Sequence, residues 1–138
     1  IANKGKEVDL TLISRPKDSR KKEQIITEFQ AQQLQKMLKS VTQKNGTGKR
    51  AKVVGMTVAG KTGTTVVASK GSYVNRQYDA SFVGFAPAEN PEYVIAVLIR
   101  KPTENGYYGG VVAAPLFAKV LPHVSRLVHF ATDKDAQS

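Results

Sequence analysis

The sequence predicts an α+β fold: an antiparallel β-sheet flanked by helices. Two observations point there. A run of three β-like segments lies between two stretches of helical periodicity, and the last two segments are joined by Pro87-Ala88-Glu89-Asn90-Pro91, a short turn that favours an antiparallel hairpin. Each helical stretch also has a single apolar face, which needs a sheet or a partner helix to cover it.

The elements follow in order. Ile1-Ala2-Asn3-Lys4-Gly5 reads as the end of a helix stopped by Gly5. Val8–Ile13 alternates and predicts a short strand or extended connector, and Arg15–Glu23 is a charged loop containing Pro16. The first complete helix spans Thr27–Val41. Thr27-Glu28-Phe29-Gln30 fits a capping box, in which hydroxyl and amide side chains satisfy two otherwise orphaned backbone donors. Leu34, Met37, Leu38 and Val41 recur at helical spacing and predict its core face. Lys36, Lys39 and Lys44 lie towards its negative end, and Asn45-Gly46 is the expected stop.

Strands are expected at Val53–Thr65, Tyr78–Ala86 and Tyr93–Lys101. Val94–Ile99 is continuously apolar, the pattern of a strand covered on both faces. The Thr65–Gln77 connection, with Gly71, predicts a longer exposed loop. The second complete helix is expected over 113–128, with Ala113, Leu116, Phe117, Val120, Val124, Leu127 and Val128 as its stripe. Pro115 fits its first turn, whereas Pro122 falls inside and is expected to kink it at a cost of up to about 3 kcal/mol. Residues 1–130 are expected as one domain unit and 131–138 as a flexible tail. A three-stranded sheet has an open edge, which suggests further strands from sequence outside this chain.

Composition excludes several function classes. The 138 residues are 41% hydrophobic and 23% charged, an ordinary globular mixture. Zero cysteines remove disulfide scaffolds, thiol catalysis and cysteine-ligated metal sites. His123 and His129 alone leave little for a metal, so neither metal nor organic cofactor is expected. The longest wholly apolar run, Val94–Ile99, is far short of the roughly 20 residues of a spanning helix. Of the net charge of +10, residues 1–60 carry +8 (13 Lys/Arg against 5 Asp/Glu). Lys17, Arg20, Lys21, Lys22 and the Lys49–Arg50–Lys52 group make up most of it. No aromatic residues interleave them as in a single-strand binder, so a solvated or polyanion-facing surface is expected and no specific nucleic acid.

The segment that speaks of chemistry is Val58-Ala59-Gly60-Lys61-Thr62-Gly63-Thr64-Thr65. On a strand, Lys61 and Gly63 share one face, and Thr62 and Thr64 the other. Glycine weakens a strand, and its usual justification is close approach of a backbone or ligand. A cation and a hydroxyl flanking that gap suit a bound carboxylate. Taken alone, the tripeptide also fits an ordinary strand.

The surrounding text narrows the choice. A GTGKRA segment, then VAGKTGT, SFVGFAPAENPEYVIAVLI and GYYGGVVAAPLF, resembles the C-terminal part of the transpeptidase domain of class B penicillin-binding proteins. Tyr107-Tyr108-Gly109-Gly110 followed by Val-Val-Ala-Ala-Pro-Leu-Phe looks most like the septal, penicillin-binding protein 3 type branch. The resemblance runs from Ile1 to about Arg126, and K-T-G accompanies S-x-x-K and S-D-N in this superfamily.

That resemblance implies a serine acyl-transfer enzyme that cross-links peptidoglycan stem peptides and is acylated by β-lactams. Lys61 would supply positive charge beside the nucleophile and the substrate carboxylate, and Thr62 would hydrogen-bond that carboxylate. Gly63 would let the substrate lie along the strand edge, and the Thr64 backbone N–H would be one oxyanion-hole donor. Tyr107 and Tyr108 match an aromatic wall, and Tyr73 and Tyr78 match tyrosines of the loop after the motif strand; for all four, simple packing is the competing reading. The implied partners are the stem peptide, β-lactams, the remainder of the transpeptidase domain and membrane proteins of a division complex. The implied location is the periplasmic side of the inner membrane, with the anchor outside this chain.

The sequence departs from the family pattern at the nucleophile. Ser14-Arg15-Pro16-Lys17 and Ser19-Arg20-Lys21-Lys22 fit S-x-x-K as text, but neither opens an apolar helix that would desolvate the lysine. No S-x-N occurs. The expectation is therefore a fragment with one wall of the active site and without its nucleophilic serine. The alternatives are a serine β-lactamase and a non-catalytic penicillin-binding-like or polyanion-binding module.

Overall fold

The structure is a computed structural model that describes residues 1–8, 22–67, 77–104 and 106–135, with side chains through 127. Thr27 starts the first helix as its sequence requires. Its hydroxyl accepts the Gln30 N–H at 3.2 Å, and the Gln30 side-chain oxygen accepts the Thr27 N–H at 2.9 Å. Helix α1 then runs Glu28–Ser40 and stops short of the expected Asn45-Gly46. Thr42 explains the earlier end. Its buried hydroxyl lies 2.7 Å from the Val58 carbonyl oxygen and 3.0 Å from that of Lys39, which ties the helix terminus to the chain entering the sheet. The expected core stripe is only partly right: Ala31 is buried, Leu38 and Val41 are half-buried, and Leu34 and Met37 are exposed.

Strands β1 (Ala59–Val67), β2 (Gln77–Ala86) and β3 (Tyr93–Arg100) form an antiparallel sheet in that order. The Pro87–Pro91 turn makes the expected hairpin between β2 and β3. Strand β1 starts six residues later than the expected Val53, because Val53 and Met56 close a tight bridge around Gly55, whose φ of +80° turns the chain instead of extending it. Strand β3 corrects the expectation of two covered faces. Tyr93 and Val97 are buried, whereas Val94 and Leu98 on the other face are exposed.

Helix α2 (Gly109–Asp135) begins four residues before the expected Ala113. Pro115 therefore lies inside it rather than in its first turn, and helical backbone continues through Pro122 to Asp135, within the segment expected as a tail. Its buried hydrophobic side chains are Ala113, Ala114, Phe117 and Leu121; Leu116 and Leu127, assigned to the core from periodicity, are exposed. The way α2 docks on the sheet sets the buried stripe. Helix α2 covers the sheet face bearing Phe82 and Val97, while Leu38 of α1 and Ala2 pack on Ala59, Phe85 and Ala88 at one end of the opposite face.

At the N-terminus, Gly5 adopts a φ of +79°, and Lys6 bridges Gln24 in an antiparallel pair. Most of the strand or connector expected at Val8–Ile13 and of the Arg15–Glu23 loop lies outside the described residues, as do most of the Thr65–Gln77 connection and the tail beyond Asp135.

The α1 end is also clamped to the hairpin by charge. Lys39 pairs with Glu89, which accepts the Thr57 hydroxyl as well. These bonds, Lys39 first and Thr57 second, hold the Glu89 carboxyl at about 2, against an ordinary value of 4.5. A lowered folded-state value means stability that is present above the unfolded value and is lost as pH falls towards the folded one. The pair is half exposed, so its contribution is at most about 1 kcal/mol. Glu89→Gln is accordingly expected to lower the thermal midpoint at neutral pH. The gap from wild type should shrink between about pH 4.5 and pH 2, as thermal melts across that range would show.

Candidate active site

Among the described residues, β1 pairs only with β2, which leaves Lys61-Thr62-Gly63-Thr64 along an open sheet edge. The register divides the motif between the faces as strand alternation predicts. Lys61 and Gly63 stand opposite Val83 and Ser81, whereas Thr62 and Thr64 stand opposite Phe82 and Ala80. Because Phe82 lies under α2, the two threonine hydroxyls face the start of that helix, and Lys61 is on the other side.

Both hydroxyls are held. Thr62 Oγ1 lies 3.1 Å from Thr47 Oγ1, and Thr64 Oγ1 accepts the Gly109 N–H at 3.2 Å. The second bond satisfies one of the four amides that a helix start leaves without an intrahelical acceptor. Lys61 is exposed and donates from Nζ to the Thr62 carbonyl oxygen at 3.0 Å. It lines an open groove of about 660 Å³ together with Gly60, Val83, Phe85, Leu38 and Val94. The lysine thus faces a groove rather than a buried ion pair.

Glycines allow the close packing behind the motif. A β-carbon at Gly63 would fall 2.4 Å from Ser81 Oγ, so its bareness has a cross-strand reason besides any ligand. A β-carbon at Gly109 would fall 2.2 Å from the Ser81 carbonyl oxygen and 2.4 Å from that of Gly63. Those are backbone atoms of paired strands and cannot give way cheaply. Gly109→Ala should therefore lift the first turn of α2 off the sheet, with a cost of about 1–3 kcal/mol in thermal or denaturant unfolding.

Aromatic residues extend the edge. Tyr78 and Tyr107 stack with ring centroids 4.1 Å apart and planes 13° from parallel, and Tyr107 and Tyr108 follow at 4.5 Å. The Tyr107 hydroxyl donates to that of Tyr108 at 3.2 Å. Giving its proton to that bond, beside a second ionisable phenol, raises the Tyr107 pKa above the ordinary tyrosine value. The structure thus brings Tyr78 to the Tyr107–Tyr108 pair, while Tyr73, Ser14 and Ser19 lie outside the described residues. Sequence reasoning missed Thr47. The signal available was its place between two glycines in Gly46-Thr47-Gly48, 15 residues before Thr62.

An α+β sheet with Lys-Thr-Gly on an open edge strand defines the class shared by penicillin-binding proteins and serine β-lactamases. Within that class, residues 1–122 match the penicillin binding protein transpeptidase domain, and the chain belongs to that family. It is 44% identical over 101 residues to the probable peptidoglycan D,D-transpeptidase PenA of Neisseria flavescens, covering 73% of this chain and 25% of that protein. To the peptidoglycan D,D-transpeptidase FtsI of Escherichia coli it is 38% identical over 98 residues, covering 70% of this chain and 16% of that one. The apo TP domain of Burkholderia pseudomallei penicillin-binding protein 3 is similar in fold, with a TM-score of 0.80 and 32% identity, covering 92% of this chain and 39% of the other. The chain spans a quarter or less of the length of these curated relatives.

Proposed function

We propose that this chain forms the Lys-Thr-Gly wall of a peptidoglycan D,D-transpeptidase that cross-links stem peptides during septal wall synthesis and is acylated by β-lactams. The observation that carries the reading is the open edge of β1, where an exposed lysine and two braced hydroxyls sit within one four-residue stretch.

The chemistry is serine acyl transfer. A serine contributed by the part of the domain outside this chain attacks the D-Ala–D-Ala carbonyl, and the terminal D-Ala leaves. An amine of a second stem peptide then takes the acyl group from the serine. Lys61 supplies positive charge towards the nucleophile and the substrate carboxylate, and Thr62 hydrogen-bonds that carboxylate. Gly63 keeps the strand edge low enough for the peptide to lie along it. The Thr64 N–H donates to the oxyanion as it forms, an interaction whose loss typically slows such reactions about 10²–10³-fold. Tyr107 and Tyr108, joined by Tyr78, form the aromatic side of the cleft, and Tyr73 belongs with them on the resemblance.

The remainder of the transpeptidase domain is the proposed partner of the exposed apolar sheet face at Val83, Val94 and Leu98. The septal resemblance further supports a place on the periplasmic side of the inner membrane and contacts with membrane proteins of a division complex. The β-lactamase and polyanion-binding alternatives are not favoured, since the relatives above carry the name of transpeptidases.

The test is intact-mass analysis after incubation with a fluorescent penicillin, on this chain and on the full-length protein that contains it. Label on the full-length protein alone is the expected result. Label on this chain would move the nucleophile to Ser14 or Ser19, and label on neither would overturn the reading.

A further inference from the structure

We propose that Thr47 is a positioning residue of this site, fixing the direction in which the Thr62 hydroxyl meets an incoming carboxylate. The inference rests on the transpeptidase reading and deepens it.

A hydroxyl carries one proton and two lone pairs, and it rotates about its C–O bond to suit its neighbours. Thr62 on an open edge would spread that proton over several directions. The hydroxyl of Thr47, 3.1 Å away, narrows the choice to two arrangements, one with each hydroxyl as donor. An anionic ligand needs donors, so it selects the arrangement in which Thr47 donates to Thr62 and Thr62 donates to the carboxylate. A hydroxyl narrowed to two arrangements before the ligand arrives loses less freedom on reaching the transition state than one free to rotate.

Thr47 can hold this position because its own backbone is pinned. The Gly46 N–H donates to Gln43 O and the Gly48 N–H to Val41 O, both at 2.9 Å. A side chain at Gly110 would fall 2.0 Å from the Thr47 carbonyl oxygen, so α2 presses directly on the loop. A β-carbon at Gly48 would meet the Phe82 ring at 2.8 Å, which seats the loop against the core. The same loop leaves the Thr47 side chain exposed, where a ligand at the strand edge can reach the pair.

The test measures acylation of the full-length protein by benzylpenicillin in wild type, Thr47→Val, Thr47→Ser, Thr62→Val and the Thr47→Val/Thr62→Val double variant. Thr47→Val keeps the shape and removes the hydroxyl, and it should slow acylation about threefold to tenfold. Thr47→Ser should restore most of the rate, with thermal midpoints close to wild type throughout. In the Thr62→Val background, Thr47→Val should cost nothing further, because its effect runs through a hydroxyl that is already gone. Full additivity of the two substitutions, or no effect of Thr47→Val on a normally acylated protein, would overturn the proposal alone. A wild-type protein that takes no penicillin would overturn the transpeptidase reading and this proposal with it.

Discussion

Lys61→Met is expected to slow acylation of the full-length protein by penicillin about 10²–10³-fold while leaving the thermal midpoint nearly unchanged. The two halves of that expectation have separate causes. Lys61 is exposed, and its described hydrogen bond is a solvent-facing one to the neighbouring Thr62 carbonyl, so the fold loses little when the ammonium goes. In the proposed cleft the same ammonium would face a carboxylate and a developing oxyanion, where a fixed charge acts far more strongly than in bulk solvent. Stopped-flow acylation and a thermal melt on the same preparation make the comparison. A variant that is acylated within threefold of wild type would remove Lys61 from the site. A variant that melts much earlier would recast it as a structural residue.

Phe117→Ala is expected to be the most destabilising single truncation in α2, at about 3–5 kcal/mol and a fall of roughly 10 °C in the midpoint of the transition that includes this domain. Phe117 is fully buried and meets Phe82 edge to face, with centroids 4.9 Å apart at 67°. A β-carbon at Gly84 would lie 3.0 Å from the Phe117 ring, so the facing strand is shaped to that ring and cannot readily close over a void. The effect should reach the site, because α2 brings Gly109 to Thr64 and Gly110 to Thr47. Leu127→Ala is the control. Leu127 belongs to the same periodic stripe but is 70% exposed, and its truncation should change stability by less than about 0.5 kcal/mol. Equal costs at the two positions would show that the helix is not docked as described.

Short-range chemistry made much of this protein legible. The capping box at Thr27 and Gln30, the hairpin at Pro87–Pro91 and the division of Lys61-Thr62-Gly63-Thr64 between two faces each depend on residues close together in the chain. Periodicity misled where burial depends on a distant partner. Leu34 and Leu116 are as apolar as Leu38 and Leu121, yet only the latter pair meets the sheet or its flanks, because the docking of each helix decides which stripe turns inward. The continuous apolar run in β3 has the same ambiguity: it states that both faces can be covered, and among the described residues only one is.

The motif itself was readable because it is contiguous, but its support was not. Thr47 precedes Thr62 by 15 residues, and Gly109 follows Thr64 by 45. By itself, then, the sequence determined the element types, the sheet's antiparallel sense and the identity of the motif strand, all properties of local spacing. The strand edge was an expectation that the described residues bear out; the tertiary structure alone decided that α2 is seated on the backbone of β1 and that Thr47 and Gly109 meet its hydroxyls. Those contacts join residues far apart in the chain, and only the packed arrangement of glycine backbones and hydroxyls specifies them.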